Sequence, residues 1–143
     1  MTEQAIRALV HRYADAASRR DPDGVADTFT SDGEWYSPEL GGFTGRGAML
    51  SFFTSMLDGW TAFLQGLQSG VLTESGPEFA RGRWFVHEYG QRADGTSLSI
   101  AGVYHDEYRC VDGRWLIARR RYDPLLRDVN GTVTAHPYPD ITA

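Results

Sequence analysis

Two carboxylates and one histidine stand out for chemistry because of where they fall in strand-like segments. In Ser97–Val111, alternation puts Leu98, Ile100, Gly102, Tyr104, Asp106, Tyr108 and Cys110 on one face. Ser99, Ala101, Val103, His105, Glu107 and Arg109 take the other. The first set is the better core face, so Asp106 is expected inside, between Tyr104 and Tyr108. Desolvation there favours a neutral carboxyl unless a cation pairs with it. An arginine such as Arg119 or Arg121 would make that pair, and Asp106 would then be structural. In RWFVHEYG, Trp84, Val86 and Glu88 share one face and Phe85, His87 and Tyr89 the other. Both faces are aromatic, so the pattern leaves two options. With Glu88 inward, two carboxyls in one apolar cavity repel and separate into an acid and a base. With His87 inward, an imidazole that titrates near neutral pH takes the base's part. Tyr13 and Tyr36 are candidate hydroxyl donors to a carbonyl or phenolate, or else aromatic walls.

The elements that must position these groups follow a simple order. From Thr2 to about Arg20, Ile6, Leu9, Val10, Tyr13, Ala14 and Ala17 recur at helical spacing. Ser18 continues that inward face, whereas Asp15 lies about 200° around from Tyr13 and points outward. DPDG ends the helix, VADTF reads as a short second one, and EWYS as a short strand. PELGGFTGRG is a breaker-rich loop. AMLSFFTSMLDGWTAFL carries Met49, Phe52, Phe53, Met56, Leu57 and Trp60 at helical intervals, which predicts a third helix over about 46–64, with Gly59 as a breaker inside it. Phe53 and Trp60 are expected at a pocket mouth. After Gln65 the period becomes 2, and strands are expected at Gln68–Ser75, Glu78–Gln91, Ser97–Val111 and Arg114–Tyr122. RADG and VDG between them carry the Asp-Gly hairpin signal. Helices first and an antiparallel sheet after mean an α+β fold. Three helices on one face of a curved, mainly antiparallel sheet make a cone with an opening. One domain is expected over residues 1–122, and 123–143, with three prolines and no period, reads as a tail.

Composition narrows the function classes. The 143 residues are 41% hydrophobic and 13% aromatic, enough for a real core in one domain. A net charge of −5 argues against nucleic-acid binding, which needs a basic face. No apolar run reaches membrane-spanning length, and the N-terminus has no apolar signal core, so a cytoplasmic protein without membrane contact is expected. Cys110 is alone. The four histidines lack metal-ligand spacing, so no metal is expected. Gly45-Arg-Gly47 lacks the frame of a phosphate cradle, and no Gly-x-Ser-x-Gly elbow occurs.

IRALVHRYADAASRRDPDGVADTFTSDGEW at the front and LSIAGVYHDEYRCVDGRWLIARRRYD near the end resemble the SnoaL-like group of the nuclear-transport-factor-2-like superfamily. Scytalone dehydratase, hexachlorocyclohexane dehydrochlorinase, polyketide cyclases and, more distantly, ketosteroid isomerase belong to it. The resemblance implies a conical cavity, no cofactor and a frequent dimer. It also favours Glu88 over His87 as the inward residue. The dehydratases' aspartate falls on Ser18, and their histidine falls near Gln68, with Gln65 as the other candidate. Neither serine nor glutamine can replace an Asp–His dyad. Likeness to the isomerase puts Tyr13 on its oxyanion tyrosine, Asp106 on its protonated aspartate, and Ser37 near its base.

Two functions from different classes remain. One is a cofactor-free lyase, isomerase or cyclase on a small apolar oxygenated molecule such as a polyketide, steroid or terpenoid. In it Tyr13 and Asp106 stabilise an oxyanion, and Glu88 or His87 moves the proton. Ser18, Tyr36, Phe53, Trp60, Gln68 and Tyr104 are its expected substrate contacts. The other is a non-catalytic ligand-binding or assembly domain. A homodimer is expected through the outer face of the sheet, where Val103, Phe85 or Trp84 need cover.

Overall fold

A computed structural model of the chain describes residues 2–141. Three helices, α1 (Thr2–Ser18), α2 (Pro22–Ala26) and α3 (Arg46–Asp58), accompany seven strands. These are β1 (Phe29–Ser37), β2 (Gly41–Thr44), β3 (Trp60–Ser75), β4 (Phe79–Arg92), β5 (Ser97–Val111), β6 (Arg114–Val129) and β7 (Thr132–Ala135). They form one curved, unclosed sheet in the order β2-β1-β6-β5-β4-β3, with β7 added to β6. All pairs are antiparallel except β1 with β6. This is the α+β cone that the order of elements predicts.

The apolar stripe of α1 is the one that helical spacing marks: Ile6, Leu9, Val10, Tyr13, Ala14 and Ala17 are all buried against the sheet. Asp15 instead pairs with Arg19 on the outside at 3.0 Å. Helix α2 starts where Asp21 caps the amide of Gly24 at 3.0 Å and Pro22 opens the first turn.

Several boundaries differ from the sequence expectation: α2 starts and ends three residues earlier than VADTF, β1 starts at Phe29 rather than at EWYS, and three further differences shape the site. Helix α3 stops at Asp58, and Trp60 already belongs to β3. Its indole lies on Gly90 of β4, where an added Cβ would come within 2.5 Å of the ring, and the Arg92 guanidinium covers it at 4.3 Å. Tertiary packing thus overrides a helical pattern that Trp60 happened to continue. The breaker-rich loop contains β2, held because Phe43 stacks on Phe52 of α3 at 4.1 Å. Finally, the segment expected as a tail is largely sheet. Strand β6 runs on to Val129 and turns at Asn130-Gly131, with φ of 52° and 91°, into β7. Such an Asn-Gly pair with two positive φ values makes the tight hairpin turn. Pro124 is tolerated inside β6 because the register with β5 slips there: Ala101 faces Leu126, and Gly102 faces Pro124.

On the outer face, the predicted apolar patch is only partly as expected. Trp84 points inward, where its indole N–H donates to the Tyr108 hydroxyl at 2.7 Å. Val103 is outward yet fully buried. Tyr138 from the last segment lies beside it, 6.5 Å from the Phe85 ring and with its hydroxyl 3.1 Å from His105 Nε2. No helix among the described residues is long and apolar enough to cross a membrane.

Candidate active site

The concave face of the sheet and the helices enclose a cavity of about 120 Å³ that opens at one mouth. Its wall is mainly apolar. Tyr13 and Ala17 of α1, Val25 of α2, and Phe53, Met56 and Leu57 of α3 meet Trp35, Trp60, Phe63, Ile100, Tyr104 and Tyr122 of the sheet. Ser37, Gln65 and Glu88 are the polar residues within, and Glu39, Leu40 and Arg127 line it while also reaching solvent, which marks the mouth.

Strand register explains how these groups come together. Gln65 of β3 faces Glu88 of β4, Glu88 faces Ile100 of β5, and Ile100 faces Arg127 of β6. One row across the sheet therefore carries the amide, the carboxylate and the guanidinium on the concave side. Tyr122 reaches the same region because its ring lies flat on Gly102 of β5, where an added Cβ would come within 2.6 Å of it. A side chain on Gly102 would push the tyrosine off the strand.

Glu88 is the group with unusual chemistry. Burial raises its pKa, while the Tyr122 hydroxyl, the Gln65 amide and the more distant Arg120 and Arg127 pull it back. Among the described residues no cation pairs with it directly. Around it sit polar atoms with spare capacity. The Tyr122 hydroxyl is near the carboxyl but outside hydrogen-bonding geometry, and it, Gln65 Oε1 and the Trp35 indole N–H are buried without partners. The Gln65 amide donates to the Tyr104 hydroxyl at 3.0 Å. Burial raises the pKa of Tyr13, Tyr104 and Tyr122, so all three stay protonated and can donate.

Asp106 keeps the inward face that alternation gives it, but not the expected place. It sits at the closed end of the cone, outside the cavity wall, where Arg120 Nε and Nη2 bind its two oxygens at 2.8 and 2.7 Å. The Tyr108 hydroxyl donates to it at 2.6 Å. Both charged side chains are fully buried. The guanidinium then lies 4.3 Å from the Tyr13 ring and 3.7 Å from the Tyr104 ring. Asp106 is thus a structural partner of the middle arginine of the Arg119–Arg121 run, rather than of either flanking one. The reason is parity: Arg120 alone of the three faces the inside of β6. Asp106 does not share the cavity with Glu88, and Tyr13 reaches Asp106 only through this arginine.

The remaining expected site residues divide cleanly. Tyr13, Phe53, Trp60, Tyr104 and Glu88 line the cavity. His87 points to the outer face, where it binds Ser99 Oγ at 2.7 Å and the Tyr89 hydroxyl at 3.1 Å. Tyr36 also faces outward, beneath Arg119 and Arg121, because Trp35 and Ser37 take the inward positions of β1. Gln68 is exposed, past a register shift in β3, and Gln65 occupies the cavity instead. Ser18 turns inward but does not line the cavity. Its hydroxyl accepts from the Gln65 amide N–H at 2.9 Å and so holds β3 to α1. Ser18 and Gln65 therefore meet as a main-chain clasp, whereas Gln68, the position first expected for the dehydratases' histidine, stays apart and exposed. Ser37 lines the cavity with its hydroxyl accepting from Leu40 N at 2.9 Å. No cluster of metal-ligating side chains occurs among the described residues.

Sequence reasoning missed Trp35, Tyr122 and Arg127 as wall residues, and named Gln65 only as the alternative to Gln68. Alternation through β6 would have found Tyr122, two residues after Arg120. Arg127 lies beyond the register slip, which no alternation predicts.

Comparison with solved structures places this architecture among enzymes and unassigned proteins alike. A provisionally named aromatic ring hydroxylase of Novosphingobium aromaticivorans is 27% identical, with 90% of this chain and 92% of that one covered and a TM-score of 0.83. A provisionally named scytalone dehydratase of the same organism is 19% identical over 99% and 95%, with a TM-score of 0.85. A hexachlorocyclohexane dehydrochlorinase of Novosphingobium barchaimii is 19% identical over 99% and 94%, with a TM-score of 0.78. Among curated proteins there is no match. The sequence profile of the SnoaL-like domain matches residues 2–121, from the start of α1 into β6. With that match spanning most of the chain and the cone-shaped fold in agreement, the chain belongs to the SnoaL-like family.

Proposed function

We propose that the cavity performs cofactor-free proton transfer on a small apolar oxygenated molecule, as a lyase or isomerase does. The supporting observation is the Glu88 carboxyl: it borders the cavity half-buried, desolvation raises its pKa, and it has no paired cation in an otherwise apolar wall. A base with a raised pKa accepts protons better near neutral pH than a solvated glutamate does. In its ionised form Glu88 takes the proton from a carbon next to a carbonyl. The C–H electrons move into the new carbon–carbon double bond, and the carbonyl electrons move to oxygen. The protonated tyrosines, Tyr122 and Tyr104 foremost, and the Trp35 indole N–H are the neutral donors available to that enolate oxygen. Glu88 then returns the proton to carbon for an isomerisation, or a leaving oxygen departs for an elimination.

Exchange tests this without knowledge of the natural substrate. In heavy water, α-tetralone is expected to gain deuterium next to its carbonyl faster with the protein than with buffer alone, as read by mass spectrometry. A protein that binds α-tetralone but leaves its exchange at the buffer rate would favour the binding-domain function instead. That alternative draws on the clasp with Gln65 that Ser18 makes at the position on which the dehydratases' aspartate falls.

A further inference from the structure

The mouth of the cavity carries a charge that proton transfer does not use. Arg127 is the only cation in the wall among the described residues. Its Nη2 donates to Glu39 Oε2 at 2.7 Å, and Glu39 is its only ion-pair partner among them. Glu39 belongs to the exposed turn between β1 and β2, and its side chain is about half exposed at 52%. The Arg127 bond holds the Glu39 carboxyl below its ordinary pKa. A half-exposed ion pair of this kind contributes little to the fold and is readily exchanged. The chain's own carboxylate therefore occupies a guanidinium that opens onto an apolar cavity.

The register adds a distance. Arg127 and Glu88 lie in one row with Ile100 between them, so their Cα atoms are two strand spacings apart, roughly 10 Å. A carboxylate held at Arg127 would project the rest of a small molecule inward, toward Glu88.

We propose that Arg127 is the carboxylate subsite of this cavity, that its ligands are small apolar acids, and that Glu39 occupies the subsite until such an acid displaces it. The proposal rests on the cavity being a small-molecule site, as above, but not on Glu88 being a base. Planar two-pronged recognition suits guanidinium to carboxylate, and an ester of the same shape lacks the charge.

Cinnamate and methyl cinnamate make a matched pair, and quenching of Trp35 and Trp60 in the wall reports their binding. The wild-type protein is expected to bind cinnamate roughly tenfold more tightly than the ester. Arg127→Gln should remove that preference by weakening cinnamate alone. Glu39→Gln should strengthen cinnamate binding by removing the competitor, with the ester unchanged. Equal binding of the two ligands, no binding of cinnamate, or a preference that survives Arg127→Gln would overturn the subsite. Deuterium exchange by Glu88 would be untouched by any of these results, so the two proposals fail separately.

Discussion

Glu88→Gln is expected to lower the protein-dependent exchange of α-tetralone by roughly 10²–10⁴-fold, the range for loss of a general base. Glutamine keeps the size of the side chain and both hydrogen-bonding positions, so binding of α-tetralone should persist. Stability should move the other way. Burial raises the folded pKa of Glu88 above its ordinary value of 4.5. Between 4.5 and that raised value the folded protein holds more protons than the unfolded chain. Stability from the neutral carboxyl is thus whole below 4.5 and is lost as pH rises through this window. Glutamine has no charge to bury. The variant should therefore melt higher than wild type above the window and like it below. Thermal melts across pH, beside exchange rates, check both halves. A variant that exchanges at the wild-type rate would remove Glu88 from the chemistry.

Asp106→Asn is expected to fail in a different way. It leaves the fully buried Arg120 guanidinium without its carboxylate, at about 3–5 kcal/mol of stability. In a domain of this size that is a fall in Tm of about 10 °C or more. The unfolding transition by circular dichroism measures it. A second variant keeps the interpretation sharp: Asp106→Leu with Arg120→Met removes both charges and should recover much of the loss. Should Asp106→Asn keep the wild-type Tm and lose exchange, Asp106 would be a catalytic acid and not the partner of Arg120.

These two carboxylates also show what could be read from the chain and what could not. Period 2 put both residues on alternating faces, and Asp106 did fall inside. Alternation gives the face of a strand but not the position along a cone. Asp106 is paired with the buried Arg120 outside the cavity wall, and Glu88 lies in that wall. Between Glu88 and His87 the pattern was balanced, because Phe85 and Tyr89 make the outer face as aromatic as the inner one. The start of β3 was hidden by the helical phase of Trp60, which extended α3 on paper into what is β3. The extension of β6 was legible in Asn130-Gly131, a hairpin signal, yet the three prolines after residue 123 outweighed it. Ser18 was expected inward and is, with its hydroxyl engaged by the main-chain N–H of Gln65.

The most direct measurement is the titration of the Glu88 carboxyl carbon by NMR in selectively labelled protein, assigned through Glu88→Gln. A half-buried, desolvated and unpaired carboxyl at the cavity predicts a midpoint above 4.5, moving further up when Tyr122→Phe removes the hydroxyl that favours the charged form. A midpoint at or below 4.5, unmoved by Tyr122→Phe, would contradict it and leave the cavity without its base.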